Sequence, residues 1–153
     1  MKLDIPSPLK AEHEELHARL VKATQVPGEV GAAAREVARL LHPHFVKEEA
    51  FALPPLGVLA RVASGQVTPD MQNAMEMAQR LRGELPEMLA EHQAIVAALG
   101  KLRAAANAAR LPEHERFAEA LVQHAQTEEQ VLYPAAILVG EHIRQALGKG
   151  IPE

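Results

Sequence analysis

The sequence predicts an all-α fold: an antiparallel four-helix bundle with short extra helices and an internal pseudo-two-fold repeat of helical hairpins. Alanine and leucine are abundant and aromatic residues make up only 3% of the chain, a composition that favours helices over sheets. Apolar residues recur at helical spacing, and no segment alternates as a strand does. At 153 residues the chain has the length of one domain, which we expect to cover residues 1–153.

The first half of the chain predicts two long helices and a short one. Ser7, followed by proline, is a typical helix start, and the Val-Pro-Gly turn at 26–28 ends this helix. A second helix is predicted over residues 29–52, because the proline pair at 54–55 stops it. A short helix follows before the Ser-Gly pair at 64–65.

The second half predicts a similar plan. A Thr-Pro-Asp start signal begins a long helix, predicted over residues 68–109, which we expect to kink or break near Pro86. A fourth main helix is predicted over residues 111–133. Pro134 interrupts it, and a last helix ends at Gly148. The four long helices therefore form two hairpins, the arrangement of an antiparallel bundle.

One motif occurs twice in the chain. Residues 44–54 read HFVKEEAFALP and residues 124–134 read HAQTEEQVLYP, so each copy has His, three residues, Glu-Glu, four residues and Pro. An Ala-Glu-His triplet is also duplicated, ending at His13 and at His92. The separations are 79 and 80 residues, so the duplications share nearly one register. This predicts two related hairpins, each with one histidine helix and one His-x-x-x-Glu helix.

The duplicated histidines and glutamates indicate a metal site. Side chains four residues apart in a helix differ in direction by about 40°, so each His-x-x-x-Glu pair lies on one face. Such polar groups are costly on an inward face unless a metal ion uses them as ligands. Each half offers two histidines and one carboxylate, a set that suits non-haem iron, and two such sets predict a dinuclear centre with the glutamates free to bridge. The candidate ligands are His13, His44, Glu48, His92, His124 and Glu128.

Three other interpretations compete with a dinuclear centre. A single His-x-x-x-Glu pair is usually a surface pair or includes a core histidine. Ferritin-like bundles use Glu-x-x-His, which has the opposite order and a different spacing. The segment HEELH at 13–17 matches a zinc-hydrolase pattern, but that assignment leaves the second half unexplained. The doubled set favours the dinuclear centre over all three.

The composition limits the other functions. The chain has no cysteine, which excludes disulfides and thiolate-held metals. Its formal charge of −4, without a basic stripe, argues against a nucleic-acid partner. No stretch resembles a signal peptide or approaches the length of a membrane span, so we expect a cytoplasmic protein without a membrane partner. The many alanine and leucine positions permit a homodimer.

The doubled pattern of a lone histidine and a His-x-x-x-Glu pair resembles the hemerythrin-like, or HHE cation-binding, domain family, and the resemblance covers residues 13–134. It implies a four-helix bundle that carries two non-haem iron ions joined by carboxylate and oxo-type (Fe–O–Fe) bridges. Manganese or zinc are possible substitutes for the iron. By the resemblance, the bridging ligands are Glu48 and Glu128, and the terminal iron ligands are His13, His44, His92 and His124.

The resemblance also bears on function, because members of that family differ in activity. The leading hypothesis is a di-iron protein that binds or reacts with oxygen, peroxide or nitric oxide in an oxygen or redox response; whether it is an enzyme stays open. The alternative is iron storage or delivery, including repair of iron–sulfur clusters under nitrosative or oxidative stress. Repair proteins of the family usually carry an N-terminal cysteine-bearing segment, which this sequence lacks. A helical interaction module is a third hypothesis.

His17, one helical turn after His13, is a further candidate ligand. If it binds, one iron has three histidines and a filled coordination sphere. The other iron then keeps an open position, lined by Val96, for oxygen, peroxide or nitric oxide. If His17 does not bind, the two irons are equivalent and each keeps an open or water-filled position.

The remaining histidines and aromatic residues are assigned structural roles. We expect His42, His114 and His142 to be exposed. Phe51 and Tyr133 are expected to pack in the core, with a hydrogen bond from the Tyr133 hydroxyl toward the site as the less favoured alternative. For four acidic residues the sequence leaves two alternatives open. Glu49 and Glu129 either hydrogen-bond the imidazoles of the ligands or are solvated. Glu12 and Glu91 either control the entry of protons or ions or are solvated.

Overall fold

The structure, a computed structural model, describes residues 2–148, and no strand occurs in that range. Two 3₁₀ helices (Pro54–Val58 and Pro69–Met71) and two π-helical turns (Glu48–Ala52 and Glu128–Leu132) accompany the α-helices. None of these described helices combines the length and apolar character needed to cross a membrane. The predicted all-α fold is therefore confirmed. The α-helices are α1 (Ser7–Thr24), α2 (Glu29–Lys47), α3 (Leu59–Ala63), α4 (Gln72–Ala108), α5 (Pro112–Thr127) and α6 (Tyr133–Gly148).

Helices α1, α2, α4 and α5 form the predicted four-helix bundle. Helix α1 packs against α2 and α5, and α4 packs against the same two helices, so the four close into a ring. The α1–α2 and α4–α5 connections span only residues 25–28 and 109–111, which makes the helices of each pair antiparallel. Apolar side chains inside the ring form the main cluster, which includes Leu16, Leu20, Val37, Leu99, Leu102 and Phe117.

A second apolar cluster lies farther along the same helices. It joins the π-helical turn after α2 to α4 and α6, and includes Phe51, Leu53, Leu56, Met88 and Tyr133. Along α4, Met88 belongs to this cluster and Ile95 to the main one, and His92 lies between them. The candidate ligands therefore occupy a polar layer between two apolar layers.

The two helices that carry the duplicated motif change to π-helical geometry at a glutamate. The N–H of Leu53 donates to the carbonyl of Glu48, and the N–H of Tyr133 donates to the carbonyl of Glu128, five residues back in each case. A proline follows each donor and has no N–H to continue the α-helical ladder. The predicted helix over residues 29–52 is thus α-helical only to Lys47, and its last turn is a π turn that α-helical periodicity does not predict.

Prolines elsewhere disturb the helices less than the sequence predicts. Of the kink or break predicted near Pro86, the break does not occur, because helix α4 continues through this residue, and the kink stays a prediction. A proline removes one hydrogen bond, and the turns on either side keep theirs. Pro134 lies in the first turn of α6, and no non-helical residue separates α5, the π-helical turn and α6. At the N-terminus, Pro6 is the N-cap and Ser7 is the first residue of α1.

Gly140 allows α6 to pack closely on α4. A Cβ atom at Gly140 would stand 2.2 Å from the Cβ of Ala78, far inside van der Waals contact. We therefore expect Gly140→Ala to lower the free energy of unfolding in urea by about 1–3 kcal/mol, the usual cost of overpacking. Gly100→Ala is the matched control, because a Cβ there meets nothing within 4 Å. The control should raise stability by about 0.5–1 kcal/mol; equal effects of the two substitutions would contradict the close contact.

Candidate metal centre

Each of the four bundle helices brings one buried histidine to the layer between the apolar clusters. Two glutamates, the first residues of the two π-helical turns, join them. None of these six side chains is more than 5% exposed, although all are polar or charged. They are His13 on α1, His44 on α2, His92 on α4, His124 on α5, and the glutamates Glu48 and Glu128.

Glu128 directs its two oxygens toward different histidines. Its Oε1 lies 3.3 Å from His92 Nε2. Its Oε2 lies 3.2 Å from His124 Nε2 and 3.6 Å from His13 Nε2. A carboxylate that faces two sets of imidazole nitrogens in this way offers one oxygen to each set.

Glu48 also lies between histidines of different helices. Its Oε1 is 3.6 Å from His44 Nε2 and 3.9 Å from His13 Nε2. Its other oxygen, Oε2, accepts a hydrogen bond of 2.7 Å from the hydroxyl of Tyr133. Both glutamates of the duplicated motif therefore reach the middle of the cluster, and neither points to solvent.

The ligand atoms form two converging groups, within each of which all the atoms lie within 4.8 Å of one another. One group, the His44–His92 side, contains both glutamates; the other, the His13–His124 side, contains Glu128. Each side takes one histidine from either half of the chain, so the expected division into one ligand set per half does not occur. The reason is packing, since α2 lies against α4 and α1 against α5, across the two hairpins.

Three of the histidines hydrogen-bond an outer carboxylate through Nδ1. An Nδ1–H that donates outward fixes the ring and leaves Nε2 as an acceptor that faces inward. Of the two roles left open for Glu129, the structure shows hydrogen bonding to an imidazole. The pairs are His44 with Glu91 Oε1 at 2.9 Å, His92 with Glu129 Oε1 at 2.9 Å, and His124 with Glu12.

His13 is held mainly by an aromatic contact. Its ring stacks on Phe45, with ring centroids 4.3 Å apart and planes inclined by 11°. Glu49 lies 4.0 Å from His13 Nδ1, which is too far for a hydrogen bond. Of the two roles left open for Glu49, the structure therefore does not show an imidazole hydrogen bond.

The unsatisfied atoms of the cluster fit a bound cation. Inward Nε2 lone pairs and ionised carboxylate oxygens are both acceptors and cannot satisfy one another. Each such buried atom costs about 1–3 kcal/mol when it is left without a partner. A metal ion bound by imidazole and carboxylate removes this cost, and such ligands suit non-haem iron. Among residues 2–148, the buried side-chain atoms without a hydrogen-bond partner are His13 Nε2, Glu48 Oε1, His124 Nε2 and Glu128 Oε2.

The two buried glutamates have pKa values displaced in opposite directions. Burial, together with the charge of Glu128, raises the pKa of Glu48 well above its ordinary value. Burial also acts to raise the pKa of Glu128, but interactions with Glu48 and the histidines outweigh it and hold that pKa well below its ordinary value. The surroundings therefore favour the protonated form of Glu48 and the ionised form of Glu128. A bound cation would displace this proton.

The centre also contains Tyr133, through a hydrogen bond that is predicted only as the less favoured alternative to core packing alone. Besides donating to Glu48, its hydroxyl oxygen lies 3.2 Å from His44 Nε2 and 3.1 Å from His92 Nε2. Residues five apart in an α-helix differ in direction by about 140°, which would turn Tyr133 away from Glu128. The π-helical turn instead stacks Tyr133 over Glu128, because the two share an i to i−5 hydrogen bond.

His17 is not brought into the cluster. Its side chain is exposed and belongs to neither group of converging ligand atoms, so its position does not support a fifth histidine ligand. His42 and His142 are exposed as predicted. His114 is predicted to be exposed, but in the first turn of α5 it is only 6% exposed, so that prediction is wrong.

Phe45 lies beside both a surface cavity and a small interior cavity. The surface cavity, of about 520 Å³, is lined by Phe45 with residues of α1 and α2, including His13 and His17. The interior cavity, of about 10 Å³, lies beside the cluster and has only the volume that one water molecule requires. Phe45 lines both and is the residue that the two linings share. The interior cavity is lined by Leu41, His44, Phe45, His92, Ile95, Leu121, His124, Ala125 and Glu128.

Comparison with known proteins gives one positive result. The protein-family model described as "Hemerythrin HHE cation binding domain" matches residues 4–136, which is most of the 153-residue chain and includes all six buried ligand candidates. No curated protein and no solved structure matches the chain. The family match and the buried His/Glu cluster agree on a cation-binding centre.

Proposed function

Because the chain belongs to the hemerythrin HHE cation-binding domain family, we propose that it holds two non-haem iron ions in this centre and binds or reacts with a small diatomic molecule or peroxide. The main support for the proposal is that the inward-facing imidazole nitrogens and carboxylate oxygens form two groups. Two groups of imidazole and carboxylate atoms converge side by side, and they share Glu128. One metal would leave the second group unsatisfied, whereas two metals use both.

The ligands of each ion follow from the two groups. His44 and His92 would hold one ion, and His13 and His124 the other. Glu128 would bridge the two, with Glu48 as the second bridging carboxylate, because it lies between His44 and His13. Imidazole and carboxylate ligands suit iron, and manganese or zinc are possible substitutes.

The bound iron would supply redox chemistry and a coordination position for a small ligand. The protein supplies orientation, because outer carboxylates fix three of the imidazole rings. It also excludes bulk water, because Leu41, Ile95 and Leu121 line the interior cavity beside the cluster. A cavity of about 10 Å³ admits a diatomic molecule or peroxide more readily than a larger substrate.

Phe45 is expected to limit the rate at which a small ligand reaches the centre. Because its ring lines both the surface cavity and the interior cavity, Phe45→Ala should join the two and raise the association rate of nitric oxide with the ferrous protein at least several-fold. Stopped-flow absorption measures this rate. Val46→Ala is the matched control, because Val46 is 55% exposed and lines the surface cavity alone. Equal rates for the wild type and Phe45→Ala would show that the ligand enters elsewhere.

The proposed activity can be separated from iron storage or delivery by one pair of measurements. The protein is loaded with ferrous iron without oxygen and then exposed to oxygen, nitric oxide or peroxide in turn while its absorption is recorded. A ligand-binding or reactive centre should give new absorption bands and keep its iron against a mild chelator. Iron that the chelator removes quickly from a folded bundle, without spectral response to any of the three ligands, would overturn the proposal in favour of iron handling.

A further inference from the structure

The hydroxyl of Tyr133 lies among the ligand atoms of the His44–His92 side, not behind them. Its oxygen is 2.7 Å from Glu48 Oε2, 3.2 Å from His44 Nε2 and 3.1 Å from His92 Nε2. A hydroxyl has one proton to donate, and here Glu48 accepts it. His44 donates outward from Nδ1 to Glu91, so its inward Nε2 presents a lone pair to this oxygen. A cation between the two atoms would make their approach favourable.

The distances fit neighbouring positions around one metal ion. An octahedral ion with metal–ligand bonds of about 2.1 Å holds adjacent ligand atoms about 3.0 Å apart. The two distances from Tyr133 to imidazole nitrogens, 3.1 and 3.2 Å, are close to this value. So is the 3.3 Å distance from His92 Nε2 to Glu128 Oε1 on the same side. The phenol oxygen therefore occupies the place of a ligand atom.

The duplication has no second phenol. Eighty residues before Tyr133 stands Leu53, which is equally buried and equally follows a π-helical turn. Tyr133 is also the one tyrosine in the chain, which contains no tryptophan and no cysteine. The repeat is therefore symmetric in its histidines and glutamates but asymmetric at this position.

We propose that Tyr133 is a protein ligand of the metal on the His44–His92 side and binds it through the phenolate oxygen. This inference rests on the proposed di-iron function, because it assigns a further ligand to one of the two ions. On binding, the phenol O–H bond would break, its oxygen would bond to the metal, and its proton would be released to solvent, with its hydrogen-bond acceptor Glu48 Oε2 as a transient carrier that is left ionised and free to bridge. No oxidation or reduction is involved.

The two metal positions are consequently inequivalent. The His44–His92 side gains a ligand that the His13–His124 side lacks. The position free for an external ligand would therefore be on the His13–His124 side. This is also the side nearer to Phe45, whose ring stacks on His13.

Resonance Raman spectroscopy of the ferric protein tests the assignment. The wild-type chain, loaded with ferrous iron and oxidised with ferricyanide, should show a visible phenolate-to-Fe(III) charge-transfer band and enhanced phenolate ring vibrations. Since Tyr133 is the single tyrosine and there is no cysteine, no other phenolate or thiolate can produce that band. Tyr133→Phe should keep most of its iron and lose the band completely. If Tyr133→Phe folds poorly, Tyr133→Leu is a second variant, because leucine stands at the equivalent position of the first repeat, and it should lose the band in the same way.

The possible results separate the assignment of Tyr133 as a ligand from the proposed di-iron function. Iron-loaded wild-type protein without phenolate vibrations would overturn the assignment of Tyr133 and leave the di-iron function standing. This is also the result expected if Tyr133 only orients Glu48 through its hydrogen bond. Retention of the band in Tyr133→Phe or Tyr133→Leu would equally overturn it. A folded wild-type chain that binds no iron would overturn the proposed function, and the ligand assignment with it.

Discussion

Glu128→Gln is expected to weaken iron binding by at least about 100-fold, because even partners that only orient a metal ligand are worth about 10–100-fold. Glu128 is the residue whose two oxygens face His92 on one side and His124 and His13 on the other. Gln keeps the size of the side chain but removes the charge and replaces one acceptor oxygen with an N–H donor. Both metal positions should therefore lose affinity together. Titration of the metal-free protein with ferrous iron, followed by iron analysis after desalting, measures the loss.

The matched control for this substitution lies on the same helix. Glu119 of α5 makes an ion pair of 3.0 Å with Arg103 at the surface and does not touch the centre. Glu119→Gln should leave iron affinity and the number of bound ions unchanged. If Glu128→Gln still held iron as tightly as this control, Glu128 would not be a bridging ligand.

Bound metal is also expected to raise the free energy of unfolding of the protein substantially. A ligand that binds only the folded state at about 100 times its Kd adds about 2.7 kcal/mol to the free energy of unfolding. For a chain of this size, that gain corresponds to a rise in Tm of roughly 5–10 °C. The physical source is the set of buried acceptor atoms, which includes His13 Nε2 and Glu128 Oε2 and is unsatisfied without a cation. Calorimetry of the protein with excess chelator and with excess metal measures the difference.

The two apolar clusters on either side of the ligand layer should keep the metal-free bundle folded. Both the metal-free and the metal-bound protein should therefore unfold in one cooperative transition, and the metal should only move that transition to a higher temperature. Glu128→Gln serves again as the control, because its Tm should respond little to metal. An identical metal-induced shift in this variant would mean that the ion stabilises the protein from another site.

The fold and the positions of the six buried His/Glu residues follow from patterns that operate at short range. Helical periodicity and the duplicated His-x-x-x-Glu motif place each candidate side chain on an inward face, and the structure brings all six together. The pairing of ligands across hairpins is a different matter. It depends on which helices become neighbours in the ring. Helix α2 packs against α4 as well as against its hairpin partner α1, and this contact across the hairpins brings His44 to His92. A single chain sequence does not contain that information locally.

Tyr133 shows why α-helical reasoning misses part of the site. An α-helix turns it away from Glu128, whereas the π-helical turn brings it back over that residue. The available signal was Pro134, which cannot continue the α-helical ladder and follows Tyr133 directly. His17 stays a predicted ligand that the buried cluster does not include. Its spacing of one turn from His13 is suitable for a ligand, but the side chain lies at the exposed edge of α1.

The central claim, two metal ions in one centre, is tested most directly by X-ray absorption of the iron-loaded protein together with an iron count. We expect two irons per chain, nitrogen and oxygen ligands, and scattering from a second iron at most about 3.5–4 Å away. His13→Ala should remove the iron–iron scattering, because it opens the His13–His124 side. A single iron per chain, or two irons without any iron–iron scattering, would contradict the dinuclear centre.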